Sequence, residues 1–230
     1  MDILSYLLGK KSSGGGGGTT TKPAPISISF QGSTEEEFDL SSISLKELTS
    51  SNYMFGSCTS ANKIIINDME TTKLTNIDNM FRDCSKYSTK DIEIVAKLNT
   101  SNVVSMQNVF YNFGRNTNVS QTLDLKSWDV SKVTTTNAMF YYCEYLRTLD
   151  LSTWSPTSLT NAESMFYGCR RLAHLDIRNF VFDNISNYSS MFYSNQANCE
   201  IIVKDDTQKT WLTTNFSFLT NVKTVAEYEG

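Results

Sequence analysis

A six-residue pattern built on Met-Phe returns six times along the chain, and it constrains the fold more than anything else in the sequence. The segments are 53–58 (Tyr-Met-Phe-Gly-Ser-Cys), 79–84, 108–113, 138–143, 164–169 and 190–195. Their Met positions, 54, 80, 109 (a Val), 139, 165 and 191, step by 26, 29, 30, 26 and 26. Self-similarity at a fixed period of this size is the mark of a repeat architecture. A unit of about 26 residues cannot bury its own apolar face, so the units must stack and share one interior.

Further columns keep the same register. An alternating apolar pair starts sixteen residues before each Met position: Phe38/Leu40, Ile64/Ile66, Leu123/Leu125, Leu149/Leu151 and Leu175/Ile177, with Ile92/Ile94 one residue out and Ile201/Val203 as a seventh pair. Period-two alternation over so short a run predicts a strand with one buried face. Three residues past each triplet stands a bulky side chain, Ile43, Met69, Trp128, Trp154 or Phe180. An aliphatic anchor precedes each Met by six: Leu48, Leu74, Val103, Val133, Leu159 and Ile185. Four residues before each Met lies Ser50, Asn76, Ser105, Thr135, Asn161 or Asn187, every one a good helix N-cap. Each unit is therefore expected to run strand, turn, anchor, cap and a short helix carrying Met-Phe. The surplus residues of the middle units fall partly in the Gly/Asn-rich stretch 112–120, which should bulge from the stack.

The ends do not repeat. Residues 26–30 (Ile-Ser-Ile-Ser-Phe) alternate and predict a covering strand; residues 206–214 predict a helix burying Trp211 and Leu212. At the start, Asp2 can cap two helical turns in which Ile3 pairs with Leu7 and Leu4 with Leu8, with Tyr6 beside them. So short a helix is unstable alone, so Ile3, Leu4, Tyr6, Leu7 and Leu8 are expected to dock on a partner. Ser12, Ser13 and Gly14 to Gly18 then read as a flexible linker, spanning on the order of 20 Å at about 5–6 Å × √n. The expected division is an anchor peptide over 1–11, a linker over 12–22, the solenoid with its N-terminal cap over 23–205 and a C-terminal cap over 206–230.

Composition narrows the function. Hydrophobic residues make up 40% and charged residues 19%, which fits a folded chain rather than a charged disordered one. A net charge of −4 argues against nucleic acid as the partner. No stretch approaches the ~18–20 apolar residues of a membrane span. The opening has an acid where a signal peptide has basic residues, and its lysines follow the apolar run, so cytoplasmic synthesis without that export route is expected. His174 is the one histidine, so a multi-histidine metal site is impossible and any Ser/His/Asp or Cys/His triad would depend on it. The expectation is a protein without enzymatic activity, cofactor or metal.

Three columns carry side chains with chemistry. Cys58, Cys84, Cys143 and Cys169 share one column with Phe113, while Cys199 stands apart. Steps of about 26 residues lack the short spacing of a zinc site, and Phe113 marks the position as apolar, so buried free thiols are expected. The middle residue of the strand triplet is often an acid: Asp39, Glu93, Asp124, Asp150 and Asp176, against Ile65 and Ile202. Asp124, Asp150 and Asp176 would form a ladder of like charges, either a face for a cation or basic partner or, the preferred reading, a series of Asx turns. Tyr111, Tyr141, Tyr167 and Tyr193 share a third column, with Tyr53, Tyr142 and Tyr145 close by. Aromatic residues with polar tips suit recognition, and a spine along the solenoid is equally compatible. Asp124, Asp150, Asp176, Tyr111, Tyr141 and Tyr167 are thus the candidate recognition face.

Residues 139–154 (Met-Phe-Tyr-Tyr-Cys…Leu-Asp-Leu-Ser-Thr-Trp) and 165–180 (Met-Phe-Tyr-Gly-Cys…Leu-Asp-Ile-Arg-Asn-Phe) resemble the BspA-like leucine-rich repeat, also known from Mycoplasma-type surface lipoproteins. The resemblance covers roughly residues 36–205. It implies an α/β fold: a leucine-rich-repeat-like solenoid with a parallel sheet of about seven strands and one short helix per repeat. It also implies surface recognition or adhesion rather than catalysis. The opening, residues 1–18, is similar to the start of structural proteins of phages of Gram-positive gut bacteria. Together these suggest a virion protein, anchored to a capsid, neck or tail protein through residues 1–11 and displaying a head for a host surface protein or glycan, with no nucleic-acid binding and no membrane insertion. The alternative is a BspA-like adhesion protein of the bacterial cell surface.

Overall fold

A computed structural model describes residues 27–115 and 121–230. The expectations for the anchor, the linker, Ile26 and the tip of the 112–120 bulge lie outside the described residues. Strands recur once per repeat: β1 (Glu37–Asp39), β2 (Lys63–Asp68), β3 (Ile92–Leu98), β4 (Gln121–Asp124), β5 (Thr148–Asp150), β6 (His174–Asp176) and β7 (Glu200–Val203). Helix α1 (Asp206–Asn215), strand β8 (Val222–Thr224) and helix α2 (Val225–Glu229) complete the chain. All strand pairs are parallel and follow chain order, as a solenoid requires.

The alternation rule places the core correctly. Phe38, Ile64, Ile94 and Leu123 lie side by side in one sheet, and Leu149, Leu175, Ile201 and Val222 in the other. Of these Leu123 is half-buried and the rest are buried. In the third unit the column runs through Ile94 and Ala96, not Ile92 and Ile94, because β3 begins one residue ahead of β2 in register. The lengthening of β2 leaves Met69 about half exposed, whereas Trp128, Trp154 and Phe180 are buried. All six aliphatic anchors are buried.

Two expectations of the fold need correction. The strands form two four-stranded sheets, β1–β4 and β5–β8, instead of one sheet of about seven. Across the seam between β4 and β5, side chains replace the ladder. The Trp154 indole donates to the Leu125 carbonyl at 3.1 Å, the Thr153 hydroxyl donates to the Lys126 carbonyl at 3.1 Å, and Lys126 meets Asp150 at 2.9 Å. The eighth strand, β8, lies in a stretch whose sequence shows no repeat triplet.

The second correction concerns the Met-Phe segments, which form no helix. Each is a chain of tight turns with left-handed residues four apart: Tyr53 and Ser57, Asn79 and Asp83, Asn108 and Asn112, Ala138 and Tyr142, Ser164 and Gly168, Ser190 and Ser194, with φ between 52° and 72°. The reason is where the amides point. Those of Met, Met+2 and Met+4 close i→i−3 turns, as Met139→Thr136, Tyr141→Ala138 and Cys143→Phe140. Those of Met−1, Met+1 and Met+3 leave sideways to the next unit: Ala138→Glu163, Phe140→Met165 and Tyr142→Tyr167, at 2.7–2.8 Å. A helix would turn every amide inward and cut this second ladder. Left-handed backbone costs an L-residue roughly 1–2 kcal/mol, which the coil-to-coil bonds and buried rings offset. The expected N-caps instead form parallel bridges, as Thr135 with Asn161 and Asn161 with Asn187, and several accept from the amide two residues on, as Asn161 from Glu163 at 3.0 Å.

The interior that results is a column of stacked rings. Phe30, Phe55, Phe81, Phe110, Phe140, Phe166 and Phe192 follow one another at 5.0–5.7 Å with interplanar angles of 3–18°. Phe30 enters from the N-terminal cap, where Ser27 bridges Ser50 and the Phe30 and Gly32 amides bond the next coil. At the other end Phe216, after α1, meets Phe192 edge-on at 5.1 Å, and Leu212 is buried. Trp211 is half-buried, stacked on Phe182 at 4.6 Å. Among the described residues no helix is long and apolar enough to cross a membrane.

Candidate functional site

The Met+2 column becomes a tyrosine row on the solenoid's side. Stacked turns place Tyr111, Tyr141, Tyr167 and Tyr193 on successive coils, with ring centroids 4.7, 4.7 and 5.2 Å apart and planes within 25° of parallel. Tyr111, Tyr141 and Tyr167 are half-buried, and Tyr193 is exposed. Arg82, in the same column one coil earlier, lies with its guanidinium 4.3 Å from the Tyr111 ring centre; the sequence reading missed it, although its place two residues after Met80 was a signal that could have found it. Burial together with its neighbours Tyr111, Tyr142 and Tyr167 pushes the Tyr141 hydroxyl above its usual range, which keeps it a proton donor at neutral pH.

Tyr142 locks the row from the side. Its ring stands edge-on to Tyr141 at 4.8 Å and to Tyr167 at 5.5 Å. A Cβ added at Gly168 would come within 2.7 Å of the Tyr142 ring, so the glycine leaves room for it as well as adopting φ +72°. Arg115 and Arg170 lie 4.7 and 5.8 Å from the Tyr142 ring centre, and Glu144 bridges them at 3.8 and 3.5 Å. Arg171 covers Tyr145 at 4.4 Å. Sequence reasoning missed Arg115, Glu144 and Arg170 because their convergence depends on the left-handed turns, which no periodicity announces.

The acidic column does not form the expected continuous ladder. Asp150 pairs in register with Asp176, but Asp124 pairs with Val95 across the other sheet, and the seam separates the two groups. Glu93 lies opposite Lys63 and Thr122, outside the column. The carboxylates are engaged locally: Asp39, Asp124, Asp150 and Asp176 each accept from the amide two residues on, at 2.9–3.4 Å, as Asx turns do. Arg178 also holds Asp176 at 2.7 Å and reaches Glu229 in α2 at 2.7 Å. Among the described residues no group of His, Cys, Asp and Glu is arranged to hold a metal ion.

Burial pushes the Asp150 carboxyl up, but hydrogen bonds from Ser152 and Lys126 and the lysine's charge outweigh it and hold the group at about 2. Free aspartate titrates near 3.9. A depressed pKa stabilises the fold above the unfolded value, and that contribution fades as pH falls from about 4 towards 2. We therefore expect Asp150→Asn, which keeps an acceptor for Ser152 but loses the charge facing Lys126, to show a shallower fall of Tm between pH 4 and 2 than the native chain. Equal slopes would contradict this role.

The four column cysteines are buried and free. Cys58, Cys143 and Cys169 donate to the carbonyls of Phe30, Phe110 and Phe140 on the preceding coil at 3.1 Å. Burial pushes the Cys58 thiol up to about 11 and Cys199 to about 12, far from a reactive thiolate. His174 faces Glu200 at 2.9 Å, and Lys223 shares that carboxylate at 2.7 Å, so the lone histidine sits in an ion-pair cluster on the second sheet.

Residues 24–118 and 89–205 match a family model described as a Mycoplasma protein of unknown function, DUF285. No curated protein and no solved structure matches the chain.

Proposed function

This chain belongs to the DUF285 family, and from that premise we propose that it is a non-enzymatic recognition protein whose solenoid is a rigid head presenting the tyrosine row. The observation that carries this reading is the row itself. Four tyrosines on successive coils are braced by Tyr142 and by guanidinium groups, on a scaffold bonded coil to coil through both strands and turns. Pre-ordered aromatic side chains lose little conformational entropy on binding, which is why they dominate recognition surfaces. The non-enzymatic reading rests on buried thiols and on carboxylates engaged in their own turns.

In this proposal the head rides on a phage particle, docked through Ile3, Leu4, Tyr6, Leu7 and Leu8 to a capsid, neck or tail protein, with residues 12–22 as its leash. The support is the apolar peg followed by the glycine run. Deleting residues 1–11 should abolish copurification of the head with particles while leaving its unfolding curve unchanged. Full occupancy of the truncated chain on particles would refute the anchor. The family's Mycoplasma description favours a second reading, a bacterial surface adhesion protein. Recovery of the chain in a bacterial surface fraction and not in particles would decide for it.

A further inference from the structure

We infer that the tyrosine row and its arginines bind an extended anionic glycan, an inference that rests on the head being a recognition surface. Stacking at 4.7–5.2 Å covers the ring faces between Tyr111 and Tyr193, and Arg82 lies over Tyr111 at the start of the row, so that within the row only the far face of Tyr193 meets no other ring. The half-exposed side chains therefore present edges and hydroxyls, repeated once per coil, to solvent. Such a comb hydrogen-bonds a hydroxyl-rich chain lying along the solenoid; it is not a platform on which single sugar rings stack.

Charge selects the kind of glycan. The chain as a whole carries −4, yet beside the row Arg82, Arg115 and Arg170 are set against Asp83 and Glu144. The patch is locally positive on an acidic molecule. Arg170 is 52% exposed at its side chain, and Arg82 and Arg115 are about one-third exposed, so each side chain reaches solvent while its guanidinium carbon stays 4.3–5.8 Å from a tyrosine ring centre. A guanidinium positioned in this way can meet a carboxylate or sulfate in a two-pronged arrangement.

The backbone argues against an acidic peptide as occupant. A peptide gains affinity on a repetitive β surface by adding its own main chain to unpaired amides and carbonyls. Here the amides of Ala138, Phe140 and Tyr142 already bond the next coil, and those of Tyr141 and Cys143 close turns. Side-chain hydroxyls and guanidinium groups are what remain, and a glycan needs no more.

The test is titration calorimetry of the full chain with oligogalacturonate, dextran sulfate, neutral dextran and poly-glutamate of matched length. At least one anionic glycan should bind, more weakly as salt rises. Neutral dextran and poly-glutamate should bind at least tenfold more weakly; which glycan is tighter tells carboxylate from sulfate. Arg170→Gln should weaken binding at least tenfold, Arg170→Lys should also weaken it because it keeps the charge without the plane, and Tyr141→Phe should weaken it about threefold. The thermal midpoint of each variant should stay at the native value. Equal binding of neutral dextran or poly-glutamate, no binding of either anionic glycan, or full affinity in Arg170→Gln would each overturn the inference. Particle association is measured separately, so a head found on particles that ignores anionic glycans sinks this inference alone.

Discussion

Phe140→Ala is expected to lower stability by about 3–5 kcal/mol, the range for removing a fully buried phenylalanine. The ring is fully buried, stacked between Phe110 at 5.4 Å and Phe166 at 5.7 Å, both within 5° of parallel. Its loss opens a cavity in the middle of the column, where coils on both sides are tied by backbone bonds and cannot collapse inward. Against a typical total of about 5–15 kcal/mol, this leaves the chain marginal. Phe30→Ala, at the end of the column and 6% exposed, should cost less because the terminal coil can settle into the space. Urea unfolding of the two variants measures the difference. A loss below about 1 kcal/mol for Phe140→Ala would mean that the rings do not carry the core.

Trp154→Ala is expected to cost a similar ~3–5 kcal/mol, and to act in a second way that Phe140→Ala does not. Trp154 is 1% exposed, stacks on Trp128 at 6.1 Å, and donates its indole hydrogen to the Leu125 carbonyl. Those contacts bridge the seam where β4 and β5 share no ladder. In a stack whose units touch only their neighbours, cooperativity is set by the weakest interface. The variant should therefore unfold with a lower m-value, or in two steps, as the two sheets come apart. Trp128→Ala is the comparison: it removes the stacking partner but spares the Trp154–Leu125 bond across the seam, its own indole bonding the Ala96 carbonyl at 2.6 Å inside the first sheet. It should lose stability while staying more cooperative than Trp154→Ala.

The strand half of each repeat was legible because burial there depends on one variable, the alternation of side chains. Leu149, Leu175 and Ile201 announce their shared face at a fixed spacing. The turn half misled because its cues have two meanings. Asn161 or Thr135 followed by an apolar pair suits a helix cap, but the same side chain closes a two-residue turn when the following amides have a better partner on the next coil. Asn79, Asp83, Asn108, Asn112 and Gly168 did hint at left-handed backbone, while Ala138 and Tyr142 at equivalent positions concealed it. The tyrosine row was legible as a column; its arginine frame was not, since Arg115 and Arg170 meet at Tyr142 only after the chain has turned through two further coils.

Coils that share one stacked interior are interchangeable in register, and removing one coil tests that directly. Deleting residues 54–79, a whole 26-residue unit, joins Tyr53 to Met80 and brings Phe81 beneath the ring of Phe30. The shortened chain should fold cooperatively, with a native-like far-UV circular dichroism spectrum and a lower Tm. Deleting residues 54–66, half a unit, puts strand residues where turns belong and should leave the chain unfolded at 25 °C. If the two deletions behave alike, either both folded or both unfolded, the coils do not share a stacked interior.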